Sequence, residues 1–196
     1  MMNEYYFDET TFIGGWFIEE QICDDIVKFF YANEQAHQVG KAYTKENGHD
    51  TVNKDVKDSK EIYISKQHVY HPFFHYRVRL QNCLKKYIEK YPNANNIAPY
   101  DIWEDYNVQW YPKGGGFKQW HSESGTPDRA VRQLVFMTYL NDVEDGGTEF
   151  LHQKITCPSK KGLTIIWPAG WTHMHRGQIS YTEEKMIVTG WYSYNA

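Results

Sequence analysis

After Tyr100 the chain breaks into short apolar runs separated by turn-forming residues, and nothing else limits its fold so strongly. Residues 131–140 read as a strand with Val135, Met137 and Tyr139 on one face. Asp145-Gly146-Gly147 reads as a turn, residues 162–167 as another strand and residues 185–194 as the last. Short strands at this spacing fit an antiparallel sandwich or jelly roll. Upstream the period changes. Ile18, Ile22, Ile26, Phe29 and Phe30 recur at helical spacing, with Glu19 and Glu20 at the end where the helix dipole favours acids. Phe73, Tyr76, Leu80, Leu84, Tyr87 and Tyr91 mark a longer amphipathic helix that ends at Pro92. Residues 37–60 are polar and carry Gly40 and Gly48; they read as a lid over a site or as a surface loop. At 196 residues we expect one domain (1–196), with residues 1–100 as mostly helical support and 101–196 as the β core.

Composition narrows the function classes. A formal net charge of −4 leaves no electrostatic footprint for strong nucleic-acid binding. Lys113, Lys118, Arg129, Arg132 and Arg176 could still form a local patch for an acidic substrate, or be ordinary solvated charge. Cys23, Cys83 and Cys157 are scattered and odd in number, as free thiols in a reducing compartment would be. The amino terminus has no basic start or apolar signal core, and no apolar run approaches the roughly 20 residues that span a bilayer. The expected setting is cytoplasmic, without membrane attachment; the oligomeric state is not readable. Aromatic residues make up 17% of the chain, which suits a β fold around an aromatic-lined pocket.

The chemistry concentrates at His121-Ser122-Glu123 and His175. On a strand, residues i and i+2 share a face, so His121 and Glu123 can grip one ion together. Two imidazoles and one carboxylate on three corners of an octahedron leave the opposite face open, the arrangement of non-haem Fe(II) oxygenases. His173 competes with His175 for the distal position, since the two form an H-x-H pair. Lys185 opens the final strand, sharing a face with Ile187, Thr189 and Trp191. A lysine in so apolar a run either points to water from an edge or needs an anion, because an unpaired buried ammonium is costly.

Residues 103–194 resemble the 2-oxoglutarate- and Fe(II)-dependent dioxygenases, specifically the prolyl 4-hydroxylase-like branch. The resemblance rests on Tyr111-Pro112-Lys113-Gly114-Gly115-Gly116, His121-Ser122-Glu123, Tyr139-Leu140-Asn141-Asp142 and Gly146-Gly147-Thr148-Glu149-Phe150. Lys161-Gly162, Trp167-Pro168, His175-Arg176-Gly177 and Lys185 continue it in the family's order and spacing. It implies a double-stranded β-helix (a jelly roll), mainly β with helices packed on one sheet. His121, Glu123 and His175 fall on the metal ligands and catalytic centre. Lys185 falls on the basic residue that pairs with the distal carboxylate of 2-oxoglutarate, Tyr139 on a tyrosine joining it, and Tyr111 on a tyrosine lining the co-substrate pocket. Thr189 falls on a small polar residue of the same strand and Trp191 on an aromatic wall. Fe(II), 2-oxoglutarate and O2 are the implied cofactor and co-substrates.

Two departures stand out. Glu123 occupies a position where most of the branch has aspartate, and its extra methylene requires a slightly different backbone. Asp128 is an alternative carboxylate, too far along to share His121's strand face. A carboxylate here also argues against halogenation, for which the family vacates that corner. The basic residue is lysine rather than the arginine common elsewhere. The resemblance implies hydroxylation of a prolyl or other residue in a protein or peptide, with a free amino acid or small metabolite as the other substrate class. Trp103, Trp110, Trp120 and Trp171 could wall either kind of site. A non-catalytic metal-binding jelly-roll module is the reading from outside enzymology, and a nucleic-acid demethylase runs against the acidic charge.

Overall fold

A computed structural model describes residues 2–44, 46, 48–96 and 98–195. The amino-terminal half contains β1 (Glu4–Tyr5), β2 (Gly14–Phe17), α1 (Glu20–Ala32), β3 (Gln38–Val39), β4 (Ala42–Tyr43), β5 (Asp50–Thr51), β6 (Lys57–Asp58), β7 (Lys60–Ile64) and α2 (Phe73–Lys90). There follow β8 (Tyr100–Asp101), β9 (Tyr106–Tyr111), β10 (Gly116–Phe117), β11 (Arg132–Tyr139), β12 (Val143–Phe150), β13 (Ile155–Ser159), β14 (Leu163–Pro168), β15 (His175–Gly177) and β16 (Lys185–Tyr194). The main sheet runs β1-β2-β14-β11-β16-β9-β7-β3, with β8 added beside β16. A smaller sheet, β13-β12-β15, faces it, completing a jelly roll that is mainly β. Among the described residues no helix is long and apolar enough to cross a membrane.

Period-two alternation divides the interior into two cores. Leu134 and Phe136 of β11, Val188 of β16, Val108 of β9 and Ile166 of β14 point to one face, where they meet the helices. Their neighbours Val135, Met137, Ile187, Ile165 and Trp167 point to the other, where they meet Phe150 and Cys157 of the smaller sheet. The functional site lies on this second side. Helix α2 buries Phe73, Tyr76, Leu80, Cys83, Leu84 and Tyr87 along one stripe, each side chain contributing about 1.5–3 kcal/mol. It stops at Lys90 because Pro92 cannot extend the hydrogen-bond ladder. Helix α1 buries Cys23, Ile26 and Phe30, and starts after Ile18, whose backbone N–H donates instead to the Gly162 carbonyl.

Three sequence expectations need correction. The first 100 residues are not mostly helical. Besides the two helices they supply β2 to the main sheet beside β14, and β7 beside β9. Asp145-Gly146-Gly147 is not a turn but lies inside β12, at a register shift between Val143 and Thr148. The glycines are needed there for close approach: a Cβ on Gly147 would stand 2.4 Å from the Cys157 carbonyl oxygen. Gly147→Ala should therefore destabilise the protein by about 1–3 kcal/mol, read as a lower urea midpoint at unchanged slope. Gly125→Ala, with nothing nearer than 3.6 Å, should stay within about 0.5 kcal/mol. Finally, residues 37–60 are neither free loop nor featureless: β4 pairs with β5, β6 pairs with β10, and Lys41, Tyr43, Asp50 and Lys57 line the main cavity. Lys45 and Asn47 of that segment lie outside the described residues.

Candidate active site

His175 opens β15 at the edge of the smaller sheet, and His121 pairs with it as an isolated bridge. Reciprocal backbone hydrogen bonds fix the pair: His121 N–H to His175 O at 3.0 Å and His175 N–H to His121 O at 2.9 Å. Glu123 is anchored separately, its N–H donating to the Ala169 carbonyl at 3.0 Å. Glu123 Oε1 then sits 3.4 Å from Nε2 of both histidines, and one ligand-type atom from each residue lies within 4.8 Å of the others.

Hydrogen bonding fixes what these atoms can do. His121 Nδ1 lies 2.9 Å from the Gln119 carbonyl, and His175 Nδ1 lies 2.9 Å from the His173 carbonyl. A carbonyl only accepts, so a neutral ring keeps its proton on Nδ1 and turns the Nε2 lone pair inward. Burial, reinforced by the neighbouring His175, lowers the His121 pKa and keeps that ring neutral. Two lone pairs thus face a carboxylate oxygen, three acceptors with no donor among them. That donor set fits a cation, and two nitrogens with one oxygen suit Fe(II). Phe117 stacks on His121 with ring centroids 3.7 Å apart, and Trp167 meets His175 edge-on at 5.1 Å, so neither imidazole can rotate freely.

The rival residues sit elsewhere. His173 is buried with Nε2 2.9 Å from the Thr11 carbonyl and Nδ1 3.0 Å from Thr172 Oγ1, so both nitrogens are spent on the fold. Asp128 lies in the Pro127–Arg129 turn with its side chain exposed, outside the three-residue cluster.

A cavity of ≈ 870 Å³ opens over the cluster. Lys185 lines it, 6% exposed, donating from Nζ to the Gly146 carbonyl at 2.9 Å and the Gln178 carbonyl at 3.3 Å. Among the described residues no carboxylate lies within salt-bridge distance of it, and burial pushes its pKa down to about 8. Its ammonium also stands 5.3 Å over the Tyr111 ring. Tyr111 lines the same cavity and donates its hydroxyl to Gln109 Oε1. Tyr139 is placed one step back: its hydroxyl donates to Thr148 Oγ1 at 2.7 Å, and Thr148 faces the cavity. Thr189 lines the cavity while donating to the Phe136 carbonyl at 3.1 Å.

Of Trp103, Trp110, Trp120 and Trp171, Trp120 borders the cavity with the Arg176 guanidinium 4.6 Å from its ring centre; Trp103 and Trp171 are exposed, and Trp110 donates to Glu184. The basic patch is largely divided among carboxylates. Arg129 pairs with Asp50, Arg176 with Glu149 and Arg132 with Glu104, each at 2.6 Å. Sequence reasoning gave no role to Glu104, Thr148 or Gln178. Only Thr148 had a visible signal, its place in the Gly-Gly-Thr-Glu-Phe run.

Comparisons with known proteins agree with this geometry. Residues 106–193 match the family described as the 2OG-Fe(II) oxygenase superfamily. No curated protein matches the chain in sequence. Among solved structures, a Pseudomonas putida prolyl-4-hydroxylase superposes with TM-score 0.65 at 12% identity, over 95% of this chain and 95% of its own. A Trichoplax adhaerens prolyl hydroxylase, solved with a hypoxia inducible factor oxygen degradation domain peptide fragment, gives 0.71 at 14% identity over 94% and 84%. The 2OG complex of a viral collagen prolyl hydroxylase from Paramecium Bursaria Chlorella virus-1 gives 0.59 at 17% identity over 94% and 97%.

Proposed function

We propose, for a chain whose residues 106–193 are a 2-oxoglutarate- and Fe(II)-dependent oxygenase domain, that the protein hydroxylates a prolyl or other residue of a protein or peptide. The observation that carries the reading is the donor-free convergence of His121, Glu123 and His175, 3.4 Å between each imidazole Nε2 and Glu123 Oε1. These three would hold Fe(II). Lys185 would pair with the distal carboxylate of 2-oxoglutarate, with Tyr111 and Thr189 beside it and Tyr139 acting through Thr148. With 2-oxoglutarate and O2, the iron supplies a two-electron oxidation that converts C–H to C–OH and yields succinate and CO2.

The residues of the chain supply the rest. Lys185 would fix one end of the co-substrate by charge from the wall of the same cavity that His121 and His175 line. Tyr111, Met137, Trp167 and Ile187 wall the cavity with largely apolar surface, which excludes water and strengthens that ion pair. The Nδ1 bonds to backbone carbonyls hold both imidazoles in the tautomer a metal requires.

The peptide in the Trichoplax structure supports a peptide substrate for a fold of this kind. A second reading, hydroxylation of a free amino acid or small metabolite, is favoured by the Arg129–Asp50 pair. That pair ties the 37–60 segment to the Pro127–Arg129 turn, and a site enclosed in this way suits a small substrate. Turnover separates the two. With Fe(II) and 2-oxoglutarate present, proline-containing peptides should raise succinate production above the substrate-free level, and free amino acids should not. The reverse pattern would move the assignment to a small-molecule hydroxylase. Absence of Fe(II) binding by the folded protein would remove the oxygenase site itself.

A further inference from the structure

The carboxylate of Glu123 is divided between two surroundings. Oε1 faces the two imidazoles at 3.4 Å. Oε2 accepts from the Trp191 indole N–H at 3.0 Å and lies 3.4 Å from Arg132 Nη1. Arg132 Nη1 also donates to the Glu123 backbone carbonyl at 3.2 Å, so one guanidinium grips both ends of the residue. The guanidinium carbon stands 3.5 Å from the centre of the Trp191 ring. On its far side the guanidinium is clamped by Glu104, with Nε at 3.0 and 3.2 Å from the two carboxylate oxygens and Nη2 at 2.6 Å from Oε2. Ser193, two residues after Trp191, completes the chain by donating to Glu104 Oε1 at 2.9 Å. Glu104, Arg132, Trp191 and Ser193 come from three separate stretches of chain and form one network, of which Trp191 and Arg132 reach Glu123 Oε2.

We propose that Trp191 and Arg132, braced by Glu104, are positioning residues that withhold Glu123 Oε2 from the metal, so that this glutamate offers the metal a single oxygen.

The inference rests on the metal-binding reading above, and its physical basis is flexibility. A glutamate has one more torsion than an aspartate and can swing both oxygens onto one cation. A second carboxylate oxygen on the metal would take one of the three positions the two imidazoles and Oε1 leave free. The co-substrate needs two of those positions and O2 the third. Two donors on Oε2, one of them charged, make the swing unfavourable. A longer side chain at this position is thus matched by an added restraint.

The split between two affinities tests this without turnover. Co(II) would be titrated into metal-free protein under anaerobic conditions, followed by 2-oxoglutarate, with absorbance recording both steps. Trp191→Phe removes the N–H but keeps a ring for Arg132 to rest on. It should bind Co(II) as tightly as wild type or more so, while 2-oxoglutarate affinity for the metal-loaded protein falls about tenfold or more. The Co(II) band should also change before co-substrate is added, as a second oxygen joins. Glu104→Gln, which touches neither metal nor co-substrate, should shift both readings the same way to a smaller extent and covers the case of a poorly folded Trp191 variant. Wild-type affinities and spectrum in both variants would overturn the proposal. So would loss of Co(II) affinity in Trp191→Phe as large as in Glu123→Ala, since the pair would then merely keep Glu123 in place. Failure of the wild-type protein to bind Co(II) would instead overturn the metal-site reading, and the proposal with it.

Discussion

His175→Ala should leave a folded protein that no longer binds Fe(II), and His173→Ala should bind Fe(II) almost normally but unfold more easily. The two imidazoles are two residues apart, and their surroundings differ in kind. His175 spends one nitrogen on the His173 carbonyl and directs the other at Glu123. His173 spends both on the fold, at 2.9 Å from the Thr11 carbonyl and 3.0 Å from Thr172 Oγ1. Truncating His173 leaves the buried Thr11 carbonyl without that partner and opens a cavity, together worth about 2–4 kcal/mol. Truncating His175 would remove one of the three proposed metal donors. Its effect on affinity should exceed the about 10–100-fold typical of losing an outer partner. Anaerobic Fe(II) titration paired with thermal unfolding of each variant reads both effects. Metal binding lost in His173→Ala and kept in His175→Ala would reassign the distal position.

That contrast shows what sequence could and could not reveal about the site. H-x-E on a strand and a later histidine name the ligand types, because i and i+2 share a face whatever the surrounding fold. The H-x-H pair alone leaves His173 and His175 both open, and the ten-residue step from His175 to Lys185 favours His175. Only the carbonyls around each ring, supplied by Thr11 from the far end of the chain and by His173 itself, decide which nitrogen is free. Lys185 was legible as a misplaced charge in an apolar strand. Glu104 was not, since its role comes from the pairing of β8 and β16 that brings it to Ser193 and Arg132.

The fold divides along the same line. Helix α2 was legible to within two residues at its end because its stripe and Pro92 are local signals. β11 and β16 were legible because alternation over eight or ten residues has no helical counterpart. β12 was misread at Asp145-Gly146-Gly147, where glycines that commonly mark turns instead let two strands approach closely. β2 was invisible for a related reason. Its place beside β14 depends on pairing across the chain, Gly14 with Ile166 and Phe17 with Leu163. The polar 37–60 segment carries no periodic signal, yet it forms part of the cavity wall through β4, β5 and the Arg129–Asp50 pair.

Lys185→Met should weaken 2-oxoglutarate binding by about 2–4 kcal/mol without lowering the stability of the unliganded protein. The two halves of that result have one cause. Burial lowers the Lys185 pKa from 10.5 to about 8, only slightly offset by Asp145. The unfolded chain therefore holds this proton more tightly than the folded one, and between about pH 8 and 10.5 stability rises with pH on account of this group. Below pH 8 the folded protein carries the full cost of a buried ammonium, roughly 3 kcal/mol on this scale. Methionine removes that cost and gives back part of it by leaving the Gly146 and Gln178 carbonyls without the ammonium donor. Binding has the opposite pH dependence. A dicarboxylate needs the charged form, so wild-type affinity should fall about tenfold per pH unit above about pH 8, and the methionine variant should be flat across the same range. Calorimetric titration of 2-oxoglutarate into the metal-loaded protein from pH 6.5 to 9.5 (about three units spanning the lysine) measures both. A flat wild-type profile, or near-normal affinity in the variant, would assign the distal carboxylate to another group. The pattern expected here makes Lys185 a residue kept at a cost to the fold because an anion neutralises it.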